Sequence, residues 1–396
     1  MPAATPLMTT LVAGLSVALL LGVAARRAGL PTILGYLLAG VVIGPYTPGI
    51  YGDMAVAAEL AELGIILLMF GVGLHFSPRE LAGARGVAVP GALGQMAVAM
   101  LLGWGLALWW GWGHGAGLFF GLSLAVASTV VMLRALEERG ESSTPLGHVA
   151  IGWLVVEDLA MVLALALAPL ASALLRGDTQ PGAGLWLDAL GTLAKAAGFV
   201  TLMLLLGSRA LPWGLSLVAS LRSRELFSLA ALVAALGVAF AAHAVFGVSL
   251  ALGAFLAGMA LGQSPLSQKA AEQTLPLRDA FAVLFFVSVG MLVRPAILWE
   301  SPGALLATLA VVVVGKALAA GLLGWALGLG KRGALTMAAA LGQIGEFSFV
   351  LAGLGLAEGL LPAAGRDLIL AAALLSIALN PLLFALVDRL APKSGG

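Results

Sequence analysis

The chain is a succession of uncharged apolar runs, most about twenty residues long, parted by short polar breaks. A backbone that must satisfy its own hydrogen bonds in lipid has two ways to do so, the helix and the closed barrel. A barrel strand would alternate polar and apolar residues over about ten positions, whereas these runs are continuous and twice as long. A water-soluble domain is excluded as well, because Asp, Glu, Lys and Arg make up 10% of the residues where about 25% is usual. The sequence therefore reads as an all-α polytopic membrane protein. With no cysteine, disulfides and thiolate metal sites are ruled out.

Charges, Pro and Gly bound thirteen predicted spans: 7–25, 31–48, 54–74, 86–111, 115–136, 146–172, 186–207, 223–242, 246–262, 274–293, 303–328, 332–357 and 366–390. The second and ninth are short for a full crossing. The first is followed by Arg26 and Arg27 and lacks a cleavage motif, so it reads as a retained helix. With the N-terminus outside and the C-terminus in the cytoplasm, fifteen Lys and Arg fall in cytoplasmic loops, against Arg176, Arg294 and Arg366 outside. This bias predicts that orientation. Arg134 and the run Glu137-Glu138-Arg139 read as a solvated cytoplasmic face.

Against this apolar background a few polar residues stand out. Glu157 and Asp158 are adjacent in the sixth span, with no other charge from Ile151 to Pro169. A carboxylate at bilayer depth costs roughly 2.5–3.5 kcal/mol on insertion scales, so two together point to an ion or proton site. Neighbouring helix positions diverge by about 100°, so the two cannot share one direction. Lys316 lies deep in the eleventh span, too far in to reach the surface easily. It predicts an ion pair with Glu157 or Asp158, which is either a structural lock between helices or part of the site. Two spans carry signs of a broken helix. The run Gly342-Gln343-Ile344-Gly345-Glu346 marks the twelfth, and Ser128-Thr129, with Ser123, marks the fifth more weakly. Small-residue packing is the competing reading of both. Paired interruptions in two halves of a chain point to a cation site near the midplane. Glu59 and Glu62 read as interfacial, and Lys195 as snorkelling. The four histidines do not cluster, so a transition-metal site is not expected.

Taken in order, several of these segments form a specific set. They are Gly35-Tyr36-Leu37-Leu38-Ala39-Gly40 with Gly44-Pro45, Leu60-Ala61-Glu62-Leu63-Gly64, Phe70-Gly71-Val72-Gly73-Leu74, Ser128-Thr129-Val130-Val131, Glu157-Asp158, Gly253-Ala254-Phe255-Leu256-Ala257-Gly258 and Gly342-Gln343-Ile344-Gly345-Glu346-Phe347. Over almost its whole length the chain resembles the membrane domain of KefB/KefC-type monovalent cation:proton antiporters, relatives of the bacterial Na+/H+ antiporters. The resemblance implies inverted repeats, two crossed discontinuous helices, and a homodimer in the cell inner membrane. It implies a single transmembrane antiporter domain over 1–396, with a core domain near 54–172 and 274–390 and dimerisation helices near 7–48 and 186–262. Asp158 matches the family's ion-binding aspartate. Glu157 occupies the variable position before it, and Lys316 matches a basic residue that pairs with that position. Ser128, Thr129, Gln343 and Glu346 would support the site from the broken helices.

The expected activity is alternating-access exchange of K+ or Na+ for protons, with no cofactor beyond the transported ions and no enzymatic chemistry. The nucleotide-binding regulatory domain of Kef systems has no counterpart in these residues, so gating by glutathione or nucleotide is not carried over. Glu at the first position matches neither the double-Asp nor the Gln-Asp pattern of relatives. The alternatives in other classes are an organic-anion/sodium symporter of the same fold and a non-transporting membrane sensor.

Overall fold

The computed structural model describes residues 5–49, 52–74, 78–175 and 183–391. In chain order the helices are α1 (Pro6–Arg27), α2 (Thr32–Ile43), α3 (Met54–Leu74), α4 (Pro78–Trp109), α5 (His114–Ala125), α6 (Thr129–Glu138), α7 (Pro145–Leu175), α8 (Ala183–Leu202) and α9 (Ser208–Ser220). Then come α10 (Arg224–Phe246), α11 (Leu250–Gly262), α12 (Ser267–Met291), α13 (Ile297–Glu300), α14 (Pro302–Ala310), α15 (Ala317–Ala326), α16 (Gly330–Leu341), α17 (Glu346–Ala357) and α18 (Ala363–Leu390). Each of the thirteen predicted spans falls on one of these helices or on two consecutive ones. Short π-helical turns, Met203–Gly207 and Val311–Lys316, join α8 to α9 and α14 to α15. Nine described helical segments are long and apolar enough to cross a membrane.

One predicted boundary is corrected. The seventh span was expected to end at 207, with Arg209 in a loop, but the helix runs on from Leu190 to Ser220. Ser208, Arg209 and Pro212 look like loop punctuation in sequence. In the structure the Ser208 hydroxyl donates to the Leu204 carbonyl at 2.7 Å, and an Arg209 N–H donates to the Leu205 carbonyl at 3.2 Å. The π turn shifts the register just ahead of the proline, where a regular ladder would lose a donor.

The chain packs as two compact units, Met1–Glu80 with Ala183–Leu292, and Leu81–Gly182 with Val293–Gly396. In the first unit, backbones touch through glycine, the usual device of helices that cannot rely on a hydrophobic driving force within lipid. A Cβ added at Gly40 of α2 would lie 2.0 Å from the Val287 carbonyl oxygen of α12. One added at Gly73 of α3 would lie 2.2 Å from the Phe255 carbonyl oxygen of α11. Helices α3 and α12 were expected with the core segments, yet both pack into this first unit. Gly64 explains part of the attachment, since its Cβ would meet the Phe281 carbonyl oxygen at 2.4 Å.

The second unit repeats one pattern: a long helix, a broken helix, a long helix. Helices α4, α5 with α6, and α7 make the first set. The span α14–α15, then α16 with α17, and α18 make the second. One apolar cluster includes Ala92, Met132, Trp153, Leu154, Met337, Leu341 and Phe384. Another includes Phe120, Leu124, Val312, Ile344, Ile369 and Ala373. The solvated face expected at Glu137–Arg139 is in part a knot of ion pairs. Arg139 pairs with Asp388, and Arg332 bonds Glu141 at 3.1 Å and Asp388 at 3.4 Å. The Arg139 guanidinium also sits 4.8 Å over the Phe384 ring. These contacts tie the end of α6 and the connection after it to the end of α18 and the start of α16.

Candidate functional site

Both interruptions predicted from sequence are real breaks. Helix α5 stops at Ala125, and Val126 is extended (φ −94°, ψ 136°). Ser128 then caps α6, its hydroxyl accepting the Val131 N–H at 3.3 Å, as Ser at an N-cap should. In the second break Gly342 leaves α16 at φ −73°, ψ 38°, and Gly345 enters α17 at φ −102°, ψ 176°.

The two breaks cross in contact. The Gly345 N–H donates to the Val126 carbonyl at 3.1 Å. A Cβ on Gly345 would lie 2.4 Å from the Ala127 carbonyl oxygen, so this position needs glycine for closeness of approach rather than for its torsions. Gln343, fully buried, locks the crossing. Its Oε1 accepts the Ser128 N–H at 2.9 Å, while its Nε2 donates to the Ser128 carbonyl at 3.1 Å and the Ala340 carbonyl at 3.2 Å. Backbone groups freed by the breaks are thereby satisfied inside protein, which is the condition for irregular chain at membrane depth.

Among the described side chains, three charged ones come to this crossing. Glu157 of α7 is fully buried, and its Oε2 accepts the Ala127 N–H at 2.9 Å. Its Oε1 is buried and, among the described residues, has no atom within hydrogen-bond geometry. Asp158 turns away as helix geometry requires; it is partly buried, and its Oδ2 accepts the Thr129 hydroxyl at 3.3 Å. Lys316, at the end of the second π turn, is fully buried. Its ammonium donates to the Gln343 carbonyl at 2.9 Å. The expected Glu157–Lys316 pairing thus takes a different form. Lys316 acts on Glu157 through its field, while its hydrogen bond goes to a carbonyl that the second break exposes.

Helix dipoles explain why each charge sits where it does. Glu157 meets the amide just ahead of α6, at that helix's positive end. Lys316 meets a carbonyl just past α16, at that helix's negative end. The arrangement provides one fully buried carboxylate fixed to backbone, one buried ammonium fixed to backbone, and one partly buried carboxylate held by a hydroxyl. A dehydrated monovalent cation wants oxygen ligands of this last kind. Of the other predicted residues, Ser128 and Thr129 lie at the first break and Gln343 at the second. Glu346 opens α17, and its side chain lies outside the described residues. Glu59, Glu62 and Lys195 are exposed and belong to the first unit.

Sequence reasoning missed four residues that build this site. Gln95 of α4, fully buried, donates through Nε2 to the Ala125 carbonyl at 2.9 Å. The Trp153 indole N–H donates to the Gln95 Oε1 at 3.4 Å. From α18, Ser376 Oγ accepts the Ile344 N–H at 3.3 Å, and Asn380 donates to the Ala339 carbonyl at 2.7 Å. Gln95 was visible as the lone amide of the fourth span, and Asn380-Pro381 as a polar dent in the last.

Comparison with known proteins shows the family to which the chain belongs. Residues 13–387 match the family described as the transmembrane sodium/hydrogen exchanger. The chain belongs to the sodium/hydrogen exchanger family. Members of this family are transporters and not enzymes. It is 54% identical over 391 residues to the cation/proton antiporter YbaL of Escherichia coli (strain K12), covering 99% of this chain and 70% of that protein. It is 36% identical to K(+) efflux antiporter 4 of Arabidopsis thaliana, over 92% of this chain and 61% of that one. Its fold resembles that of the sodium proton antiporter MjNhaP1 from Methanocaldococcus jannaschii, with a TM-score of 0.72 at 18% identity over 97% of this chain and 98% of that one.

Proposed function

We propose that this member of the family exchanges a monovalent cation, K+ or Na+, for protons, and that Asp158 is the carboxylate both ions compete for. The observation that carries this reading is Asp158 itself: an acid at membrane depth, partly buried, bonded to Thr129 beside a broken helix. Proton and cation cannot occupy that carboxylate together, and this competition is the coupling. Glu157 and Lys316, held by the backbone of the first and the second break respectively, support the crossing and offset each other's charge. The transported cation is K+ or Na+; relatives named as K+ efflux antiporters favour K+. Alternating access then moves the second unit, which holds all of these residues. The chain works as a homodimer in the cell inner membrane; its orientation, N-terminus outside and C-terminus in the cytoplasm, is supported by the loop bias, which is fourteen to three once Arg209 is counted within its helix. An organic-anion symporter would need an accessible positive group to offer, whereas Lys316 is fully buried and its charge is offset by Glu157. The test is cation-driven pH change in proteoliposomes, comparing Na+, K+ and Li+. Collapse of a preset pH gradient on cation addition is expected, and an unmoved gradient with all three would refute exchange.

A further inference from the structure

The two halves of the second unit solve one problem with the same pair of devices. In the second set, Lys316, on the span before the broken helix, donates to the Gln343 carbonyl 27 residues later at 2.9 Å. In the first set, Gln95, on the helix before the broken helix, donates to the Ala125 carbonyl 30 residues later, also at 2.9 Å. The following helix answers in kind. Glu157 accepts an amide of the first break, at Ala127, and Ser376 accepts one of the second, at Ile344. We infer that Gln95 is a positioning residue for ion exchange, the uncharged counterpart of Lys316 in the first half.

What Gln95 positions follows from the residues next to its acceptor. From Ala125 to Thr129 every residue is held by a group from elsewhere in the unit. Gln95 takes the carbonyl of Ala125, Gly345 that of Val126, Glu157 the amide of Ala127, Gln343 both groups of Ser128, and Asp158 the hydroxyl of Thr129. Gln95 is the first of these holds and Asp158 the last, so the link from Gln95 to the ion-binding carboxylate is five residues, of which Val126, Ala127 and Ser128 lie between the two helices. Gln95 also reaches α7 directly. Trp153, which bonds it, lies four residues before Glu157 on the same helix face. Trp153 is seated against Gly91, one turn before Gln95, where an added Cβ would come within 2.0 Å of the indole. One amide therefore sets both the end of α5 and the height of α7 beside it. With its donor gone, the Ala125 carbonyl is left buried and unpaired. The break then turns to satisfy that carbonyl, and Thr129 moves off Asp158.

The inference rests on the exchange reading, and the experiment separates the two. Wild type, Gln95→Met and Gln95→Glu are reconstituted, and the rate of cation-driven pH change is measured against K+ and Na+ concentration, with a melting curve for each protein. Methionine keeps the length and loses the amide; glutamate keeps the shape and the acceptor for Trp153 and, when ionised, loses the donor. For the variants that fold, the expected result is a half-saturating cation concentration raised about tenfold, with a smaller change in maximal rate. A tenfold shift corresponds to about 1.4 kcal/mol, the size of one hydrogen bond. Variants with the wild-type half-saturating concentration overturn the inference, whatever their yield. So does loss of folding in both, which would make Gln95 a structural residue only. A wild type that exchanges nothing would instead overturn the exchange reading.

Discussion

Gly345→Ala adds one methyl group at the point where the two broken helices touch. The new Cβ would lie 2.4 Å from the Ala127 carbonyl oxygen, 2.6 Å from the Ala127 carbonyl carbon and 2.8 Å from the Ser128 nitrogen. All three are backbone atoms, so no side chain can rotate away, and ordinary contact near 3.5 Å requires the two breaks to separate by about 1 Å. Overpacking of this kind costs typically 1–3 kcal/mol. The same movement stretches the Gly345–Val126 bond of 3.1 Å and the Ser128–Gln343 bonds of 2.9 and 3.1 Å beyond useful length. Each buried group left unpaired adds about 1–3 kcal/mol. With one such group for each of the three bonds the sum is roughly 4–12 kcal/mol, comparable to the whole stability of a typical domain. Gly353→Ala on the same helix α17 is the control, because its Cβ would meet nothing within 4 Å. Melting curves of the purified proteins in detergent, with proteoliposome exchange, read the difference. Gly345→Ala should melt well below wild type or fail to accumulate, and should not exchange, while Gly353→Ala should match wild type in both assays. Equal melting and equal exchange by the two variants would refute the crossing as described.

Other substitutions extend the argument. Lys316→Met removes the donor to the Gln343 carbonyl and leaves Glu157 buried without a countercharge, a loss of about 3–5 kcal/mol visible as a lower melting temperature. Asn380→Ala strips the Ala339 carbonyl of its side-chain partner and should cost about 1–3 kcal/mol by the same measurement. Arg332→Ala, by contrast, breaks ion pairs whose arginine is about a quarter exposed, and should shift melting by no more than about 1 kcal/mol and leave exchange intact.

The spans and both breaks were legible in the sequence because each has a direct physical signature. Apolar runs of membrane length admit one reading, and Gly342 and Gly345 around a lone Gln343 contradict a continuous helix. Glu157 and Asp158 were legible as a site because charge at that depth is costly, and their division of work followed from helix geometry. What stayed hidden depended on backbone. Lys316 looked for a carboxylate in sequence, since carbonyl acceptors have no letter of their own, and it found the carbonyl of Gln343. Gln95, Ser376 and Asn380 looked like isolated polar residues because the groups they satisfy exist only once a helix has broken. The attachment of α3 and α12 to the first unit was hidden for a related reason: glycine contacts such as Gly64 with Phe281 are pairings between segments far apart in the chain, and a single sequence does not say which glycine meets which backbone.

The proposal that Asp158 is where cation and proton compete has a direct test. Asp158→Asn keeps the size of the side chain and an oxygen to accept the Thr129 hydroxyl, and removes the charge. Cation-driven pH change is measured in proteoliposomes holding this variant beside wild type, with melting curves to establish folding. A folded Asp158→Asn protein with no exchange for Na+, K+ or Li+ is the predicted result. Exchange by that variant at the wild-type rate would contradict it.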